Sequence, residues 1–308
     1  SLRNIEGMLP IGRDVRIRYW RDGRERTARA EIVEDLDARI AGQRVDERLD
    51  GVVLVRVPEG WAQRGVRYVS LTHFGHNQFG GSSNPRADLG DAPEDPGLTD
   101  LGRALVAELN DHGVMVDVSH VGRRSAMEAI ALSRAPVIAS HSGAKAVHDN
   151  PRNLDDAQLR AIARSGGVAQ MVAYRSYVAP VDPALSAALD ALRARLGLTS
   201  SAAFRAASPE TLAAYRAERA ALRAAHPDVT LAQFVDHIDH AVSVVGVDHV
   251  GLSGDFDGGG GVAGWDGADE SLNVTLELAR RGYSADDIAK LWGGNVLRVM
   301  RDVEQAAR

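Results

Sequence analysis

The stretch VMVDVSHVGRRSAMEAIALSRAPVIASHS (residues 114–142) contains two apolar segments separated by a helical pattern. VMVDVSH (residues 114–120) and PVIASHS (residues 136–142) have the length and composition of buried strands. A strand, a helix and a second strand in this order predict two parallel strands joined by a crossover helix. Both strands end on a histidine, His120 or His141, beside serine. The stretch therefore predicts an α/β fold with polar side chains at the strand ends.

Three more candidate strands continue this pattern along the chain. They are VRYVSLTH (residues 66–73), GVAQMVAY (residues 167–174) and HVGLSGDFD (residues 249–257). Helical patterns that end near glycine or proline separate the strands, as expected for a parallel sheet buried on both faces. Residues 184–245 are rich in alanine and arginine and predict a helical excursion of two or three helices before the last strand.

Four of the five candidate strands finish on groups that can bind a metal: His73, His120, His141 and the pair Asp255 and Asp257. In a (β/α)₈ TIM-barrel-type fold the carboxyl ends of the strands converge on one face. Imidazole and carboxylate ligands together suit zinc with a bound water. A single histidine at a strand end is more often structural, but the repetition over four strands favours a shared polar site.

Two other motifs are weaker. His237 and His240 lie three residues apart in a helical pattern, a spacing that can bind metal, but we interpret them as solvated or capping residues. The run GDFDGGGG (residues 254–261) lacks the Lys-Ser/Thr of a phosphate-binding P-loop, so nucleotide binding is not predicted.

Composition limits the classes of function. The chain has 308 residues, 44% of them hydrophobic and 25% charged, which suits one large globular α/β domain or one domain with a smaller piece. A net charge of −6 argues against nucleic acid as the partner, and the lack of cysteine removes disulfides and thiolate chemistry.

No apolar run approaches the roughly 20 residues of a transmembrane helix. No secretory signal opens the chain, and Ser1 in place of Met predicts that the natural start is missing, so the compartment stays open between cytoplasm and periplasm.

The first part of the chain has a different pattern. VRIRYWRDGRERTARAEIV (residues 15–33) alternates with a period of two around Asp22-Gly23, which predicts a β-hairpin.

Five blocks of this sequence resemble the membrane (renal) dipeptidase family over residues 57–308. The blocks are LTHFGHNQFGG, GLTDLGRALVAELNDHGVMVDVSHVG, APVIASHSGAKAVHDNPRNLDD, GVDHVGLSGDFDG and LWGGNVLRV, and they occur in the family's order. The family consists of binuclear zinc dipeptidases with a (β/α)₈ barrel. The resemblance implies a dipeptide substrate, hydrolysed by a metal-activated water, and leaves open a homodimer.

The resemblance also implies roles for individual residues. His120 and His141 resemble the two histidines that bind one zinc ion. His73 resembles a histidine that contacts the substrate and the tetrahedral intermediate. Arg152 in NPRN resembles the arginine that pairs with the substrate's carboxylate. Asp255 resembles the carboxylate that passes a proton to the leaving amine.

Part of the family's pattern is missing from this sequence. The family's His-x-Asp on its first strand has no counterpart on a candidate strand, because the two His-x-Asp triplets of the chain (residues 226–228 and 237–239) lie in the helical excursion. The one candidate for the glutamate that bridges both metals is Glu6, in NIEGMLPIG. Five strands are also too few for a closed barrel of eight. We therefore expect an N-terminally incomplete barrel, with a hairpin-containing N-terminal segment and impaired activity.

A second resemblance covers residues 1–56, which are similar to the C-terminal half of a PDZ domain of HtrA-type proteases. The division is then a PDZ-like fragment or hairpin insertion at 1–56 and a dipeptidase-like barrel at 57–308. Two other functions stay open: a peptide-binding fragment without catalysis, and another metal-dependent amide or lactone hydrolase.

Overall fold

The computed structural model of the chain describes residues 14–21, 24–31, 62–199, 201–226 and 228–307. These residues form a two-stranded sheet and a five-stranded sheet. Among them, no helix is both long and apolar enough to cross a membrane.

The two-stranded sheet is the hairpin predicted from the period-two pattern. Strand β1 (Asp14–Arg21) pairs antiparallel with β2 (Arg24–Glu31), and Arg21 lies opposite Arg24. This register confirms the hairpin. Its connecting residues, 22–23, lie outside the described part of the chain.

The five-stranded sheet is parallel throughout, and its strands lie side by side in chain order. All five predicted strands are present, but each is shorter than predicted. The strand predicted at 136–142 begins two residues later and retains His141 and Ser142, whereas the other four end before the last residues predicted. The strands are β3 (Tyr68–Ser70), β4 (Met115–Asp117), β5 (Ile138–Ser142), β6 (Val168–Val172) and β7 (Val250–Ser253).

Helices follow the strands and cover the sheet. They are α1 (Asp100–Asp111), α2 (Arg123–Leu132), α3 (Asp156–Arg164), α4 (Arg175–Val178), α5 (Pro183–Arg195), α6 (Ser201–Ala206), α7 (Pro209–Ala225), α8 (Leu231–Val245), α9 (Ser271–Arg280), α10 (Ala285–Ala289) and α11 (Asn295–Gln305). A π-helical segment, Lys290–Gly294, joins the last two. In the sequence, the spacing of Ser284 and Asp287 predicts a capping box, and this box is present at the start of α10.

The core lies between the sheet and its helices. All three residues of β4 are buried, as both faces of an inner parallel strand must be. On α1, Leu105, Val106 and Leu109 form the buried face. A side chain at Gly102 would meet the backbone oxygen of Phe79 at 1.9 Å, so only glycine lets α1 pack against that loop.

The helical excursion between β6 and β7 contains four helices, α5 to α8, rather than two or three. The six residues of α6 are too few to produce a visible periodicity. A largely buried network of ion pairs joins the excursion to α4, which follows β6, and to the segment that follows β7. Asp228 accepts hydrogen bonds from Arg175 at 2.8 Å and from Arg223 at 2.8 Å, and Asp266 pairs with the same two arginines and with Arg219.

Candidate active site

The three predicted histidines meet at the carboxyl ends of neighbouring strands. The rings of His73 and His120 lie 4.1 Å apart between centroids, and those of His120 and His141 lie 4.8 Å apart. The Nε2 atoms of His120 and His141 approach to 2.8 Å. His73 is exposed, whereas His120 is buried. Three parallel strands thus deliver three imidazoles to one place, as the carboxyl edge of a parallel sheet allows.

Burial keeps the two facing imidazoles neutral. It lowers the pKa of His120, and the positive charges of Arg152, His73 and His141 lower it further. Burial also lowers the pKa of His141, although the negative charges of Asp117 and Asp255 act in the opposite direction. Neutral imidazole is the form that binds a metal ion.

Two non-glycine residues of the described chain have positive φ angles, and both are predicted site residues. His120 has φ 66°, and its carbonyl accepts hydrogen bonds from the Ser83 N–H at 2.8 Å and the Thr72 hydroxyl at 3.1 Å. Asp255 has φ 48°, and its carbonyl accepts hydrogen bonds from two glycine N–H groups. Such conformations cost about 1–3 kcal/mol each and concentrate at functional sites. The loops around them therefore hold these two side chains in place.

The glycine-rich run after β7 surrounds Asp255. A side chain at Gly258 would meet the Asp255 carboxylate oxygen at 2.4 Å, and one at Gly260 would meet the Gly254 backbone oxygen at 2.1 Å. The glycines thus allow a tight loop around a carboxylate.

The negative charge of Asp255 reaches the aromatic and basic groups around the site. Burial is the main cause that raises the pKa of Tyr68 and of Tyr177, and the charge of Asp255 raises both pKa values further. The same charge also acts on His141 and Arg152. Asp255 is therefore near enough to the imidazole pair for its charge to act on His141.

Arg152 is a buried cation next to the histidines. The residue is 3% exposed, and its Nη2 atom donates a hydrogen bond to the His141 carbonyl at 3.0 Å. The guanidinium carbon lies 5.1 Å from the centre of the Tyr177 ring. Its Nε–H is buried with no hydrogen-bond partner among the described residues. A buried donor without a partner is expensive, so this arginine is suited to an incoming acceptor.

Asp117 is the buried carboxylate that organises the strand ends. One of its oxygens accepts hydrogen bonds from the Ser119 N–H at 3.0 Å and the Ser140 N–H at 2.9 Å. The other accepts from the hydroxyls of Ser70 at 2.5 Å and Ser140 at 2.7 Å. Ser140 in turn contacts Nδ1 of His141 at 2.7 Å. The carboxylate therefore cross-links three neighbouring strands beneath the imidazole pair.

The described residues could supply part of a metal site. Two neutral imidazoles converge, and Nδ1 of His120 is buried with no partner among the described residues. No group of three or more histidine, cysteine, aspartate or glutamate residues that could hold an ion occurs within the described ranges. Glu6, the predicted bridging ligand, lies outside them. The fit is thus limited to two ligands for one ion.

The interpretation of His237 as a solvated or capping residue is wrong. His237 is 1% exposed, accepts a hydrogen bond from the Ala144 N–H at 2.9 Å and donates to the Val178 carbonyl at 2.8 Å. It holds the loop after β5 against α4. His240 instead contacts Asp156 at 2.7 Å.

A family model described as membrane dipeptidase, peptidase family M19, matches residues 55–308. The chain belongs to the membrane dipeptidase family. Dipeptidase aclJ of Aspergillus oryzae is 34% identical over 248 residues, which are 79% of this chain and 47% of the fungal protein. Dipeptidase tcpJ of Claviceps purpurea is 31% identical over 244 residues, 79% of this chain and 46% of that protein. The chain thus spans about half the length of these relatives.

Solved structures agree with this assignment. The probable dipeptidase PvdM of Pseudomonas aeruginosa superposes with a TM-score of 0.68 at 40% identity, covering 82% of this chain and 66% of that one. A metallopeptidase of Rhodobacter sphaeroides, liganded with a phosphinate mimic of the dipeptide L-Ala-D-Ala, shares the fold with a TM-score of 0.57 at 24% identity, covering 80% and 58% of the two chains. The parallel α/β sheet is consistent with the (β/α)₈ barrel of the membrane dipeptidase family. The comparisons do not support the PDZ-like resemblance of residues 1–56.

Three residues around the site were missed in the sequence. Asp117 lies in the apolar segment VMVDVSH, where a carboxylate inside a buried strand is itself a signal, because aspartate is almost never fully buried without partners. Tyr177 and Phe74 gave no such signal. Phe74 is 46% exposed and contacts the rings of His73 and His120 edge-on, at 4.7 and 5.3 Å between centroids.

Proposed function

We propose that this chain is a metal-dependent dipeptidase unit that hydrolyses the peptide bond of a dipeptide. The observation that carries the proposal is the 2.8 Å approach of Nε2 of His120 and Nε2 of His141, beside a buried arginine. Membership of the membrane dipeptidase family supports the reaction class. Residues 57–308 are proposed as the catalytic unit, with residues 184–245 as its helical excursion.

His120 and His141 are the proposed protein ligands of a zinc ion. When bound, such an ion lowers the pKa of its coordinated water and polarises the scissile carbonyl. Glu6 remains a further candidate ligand from the resemblance alone.

Arg152 is proposed to bind the free carboxylate of the substrate. A guanidinium offers a planar pair of donors that matches a carboxylate. Its Nη2 bond to the His141 carbonyl keeps the side chain beside the imidazole pair, and burial against Tyr177 excludes competing water. The substrate would then be held by one end with its peptide bond near the histidines. His73, which is exposed at this place, is proposed to contact the substrate and the tetrahedral intermediate.

Asp255 is proposed as the acid/base residue. Its negative charge acts on His141, and its left-handed backbone conformation restricts where the side chain can lie. In this position it can take a proton from the attacking water and give one to the leaving amine.

The dipeptide substrate is supported by the relatives. The fungal proteins are named dipeptidases, and the Rhodobacter enzyme binds a mimic of L-Ala-D-Ala. The direct test is hydrolysis of L-Ala-L-Ala and L-Ala-D-Ala by the zinc-loaded chain, measured as the release of free alanine. Release that stops with a chelator and returns with zinc supports the proposal. Turnover of an acyl-homoserine lactone without dipeptide turnover would replace it with the lactonase alternative.

Metal analysis of the purified chain is expected to find fewer than two zinc ions per chain. The described residues offer two imidazoles to one ion and no group of three ligands within the described ranges. Elemental analysis after dialysis against micromolar zinc measures the ratio. Two tightly bound ions per chain would contradict this expectation.

Replacing Arg152 with methionine is expected to raise KM for L-Ala-D-Ala by about 10- to 100-fold, because one charge-assisted hydrogen-bond pair contributes about 1.5–3 kcal/mol. Arg152→Lys should recover only part of the loss, since lysine lacks the planar pair of donors. Steady-state kinetics over a range of substrate concentrations gives KM. The matched control is Arg160→Met, because Arg160 lies 52% exposed on α3 and makes only a 3.6 Å ion pair. An unchanged KM for Arg152→Met would remove this residue from substrate binding.

A further inference from the structure

The hydrogen bonds of Asp117 determine where the protons of its neighbours lie. Asp117 is fully buried, and four donors converge on it, two on each oxygen. Four donors match the accepting capacity of an ionised carboxylate, which can only accept. The Ser140 hydroxyl therefore donates its single proton to Asp117.

This leaves Ser140 as an acceptor towards His141. The Ser140 oxygen lies 2.7 Å from Nδ1 of His141, and its own proton is already used. The proton of this second bond must come from Nδ1–H of the imidazole. A neutral His141 with Nδ1–H carries a lone pair on Nε2.

The same reasoning reaches His120. Nε2 of His120 is 2.8 Å from the Nε2 lone pair of His141, so the hydrogen bond between them needs its proton from His120. His120 is then the Nε2–H tautomer. Its Nδ1 then carries a lone pair. This atom is buried and has no hydrogen-bond partner among the described residues. The two facing histidines are opposite tautomers in the metal-free chain.

We propose that Asp117 is a positioning residue that acts through Ser140 to fix His141 as its Nδ1–H tautomer and to direct the Nε2 lone pair at His120. The proposal rests on the proposed function only in that Nε2 of His141 is the atom a metal would take. Hydrogen-bonded partners of this kind orient ligating histidines in metalloenzymes generally. Here Ser70, on β3 at the outside of the described five-stranded sheet, donates to the carboxylate from the opposite side of β4 to Ser140.

The test is long-range ¹H–¹⁵N NMR of the metal-free, ¹⁵N-histidine-labelled chain, in which the nitrogen shifts distinguish protonated from unprotonated ring nitrogens. His141→Asn and His120→Asn variants assign the signals. Wild-type protein should show His141 as Nδ1–H and His120 as Nε2–H. A wild-type spectrum with His141 as Nε2–H overturns the proposal without any further variant.

Variants separate the relay from general packing. Ser140→Ala should convert His141 to a mixture of tautomers, and Ser140→Thr, which retains the hydroxyl, should restore Nδ1–H. Ser142→Ala is the matched control, because Ser142 is a buried serine next to His141 whose hydroxyl lies 3.3 Å from Ser119 instead. An equal change in Ser142→Ala, or no change in Ser140→Ala, contradicts the relay.

Zinc affinity supplies a second readout. Competition with a chromophoric chelator should show Ser140→Ala binding zinc about 10- to 100-fold more weakly, with recovery in Ser140→Thr. The outcomes also separate this inference from the proposed function. Opposite tautomers without dipeptide hydrolysis would refute the function alone, and hydrolysis without them would refute the relay alone.

Discussion

Asp255→Asn is expected to lower kcat for dipeptide hydrolysis by a factor of about 10² to 10⁴, the usual contribution of a positioned general acid or base. Asparagine has nearly the shape of aspartate but cannot accept the proton from the attacking water. It also tolerates the left-handed region, so the backbone at φ 48° should be retained. Steady-state hydrolysis of L-Ala-D-Ala by zinc-loaded protein measures the loss. KM should change much less than kcat, because the variant still presents Arg152 to the substrate.

The matched control for this prediction is Asp248→Asn. Asp248 is an exposed aspartate whose carboxylate contacts Lys290 at 2.7 Å, and it lies before β7 rather than after it. Its replacement should leave kcat within a factor of about two, because Asp248 is not one of the proposed site residues and a surface substitution usually changes the stability by no more than about 0.5 kcal/mol. Equal kcat values for wild type and Asp255→Asn would show that another group transfers the proton. A zinc content equal to that of the wild type would assign any loss to proton transfer rather than to metal binding.

Asp228→Ala is expected to lower the free energy of unfolding by about 3 kcal/mol. The Asp228 side chain is 5% exposed and pairs with Arg175 and Arg223, which are 11% and 9% exposed. Removing one partner of a buried ion pair costs about 3–5 kcal/mol because the remaining charge is left uncompensated. We expect the lower end of this range, because Asp266 still contacts both arginines. Urea unfolding followed by circular dichroism measures the change.

An exposed pair of the same chemistry controls this measurement. Asp190 contacts Arg193 at 3.1 Å on α5, and its side chain is 74% exposed. Asp190→Ala should change the unfolding free energy by less than about 0.5 kcal/mol, as for surface pairs in general. A loss below 1 kcal/mol for Asp228→Ala would mean that the network does not stabilise the junction between the helical excursion and the sheet.

Much of the fold could be predicted because its signals are local. The period-two pattern around Asp22-Gly23 predicted the hairpin, and the spacing of Ser284 and Asp287 predicted the start of α10. Apolar segments alternating with helical patterns predicted the parallel order of the five strands. For the hairpin and the capping box, the residues that decide the structure lie within one hairpin or one helical turn of each other, so the sequence itself displays the relation.

The site was only partly predictable. The histidines and Asp255 could be named as strand-end groups, because convergence at one edge is a property of every parallel sheet. The close approach of the two Nε2 atoms could not be predicted. His120 and His141 lie 21 residues apart, and their approach depends on a left-handed backbone at His120. His237 was misread because its two partners, Ala144 and Val178, lie 93 and 59 residues away.

The sequence by itself determined the order of strands and helices, the polar character of their ends and the family resemblance. Only the tertiary structure decided which of those polar groups share hydrogen bonds. Asp117 illustrates the physical reason: its partners Ser70 and Ser140 lie 47 and 23 residues away on two neighbouring strands. Secondary structure follows from interactions between near neighbours in the chain, whereas proton positions in a buried network follow from the packing of strands that the sequence keeps far apart.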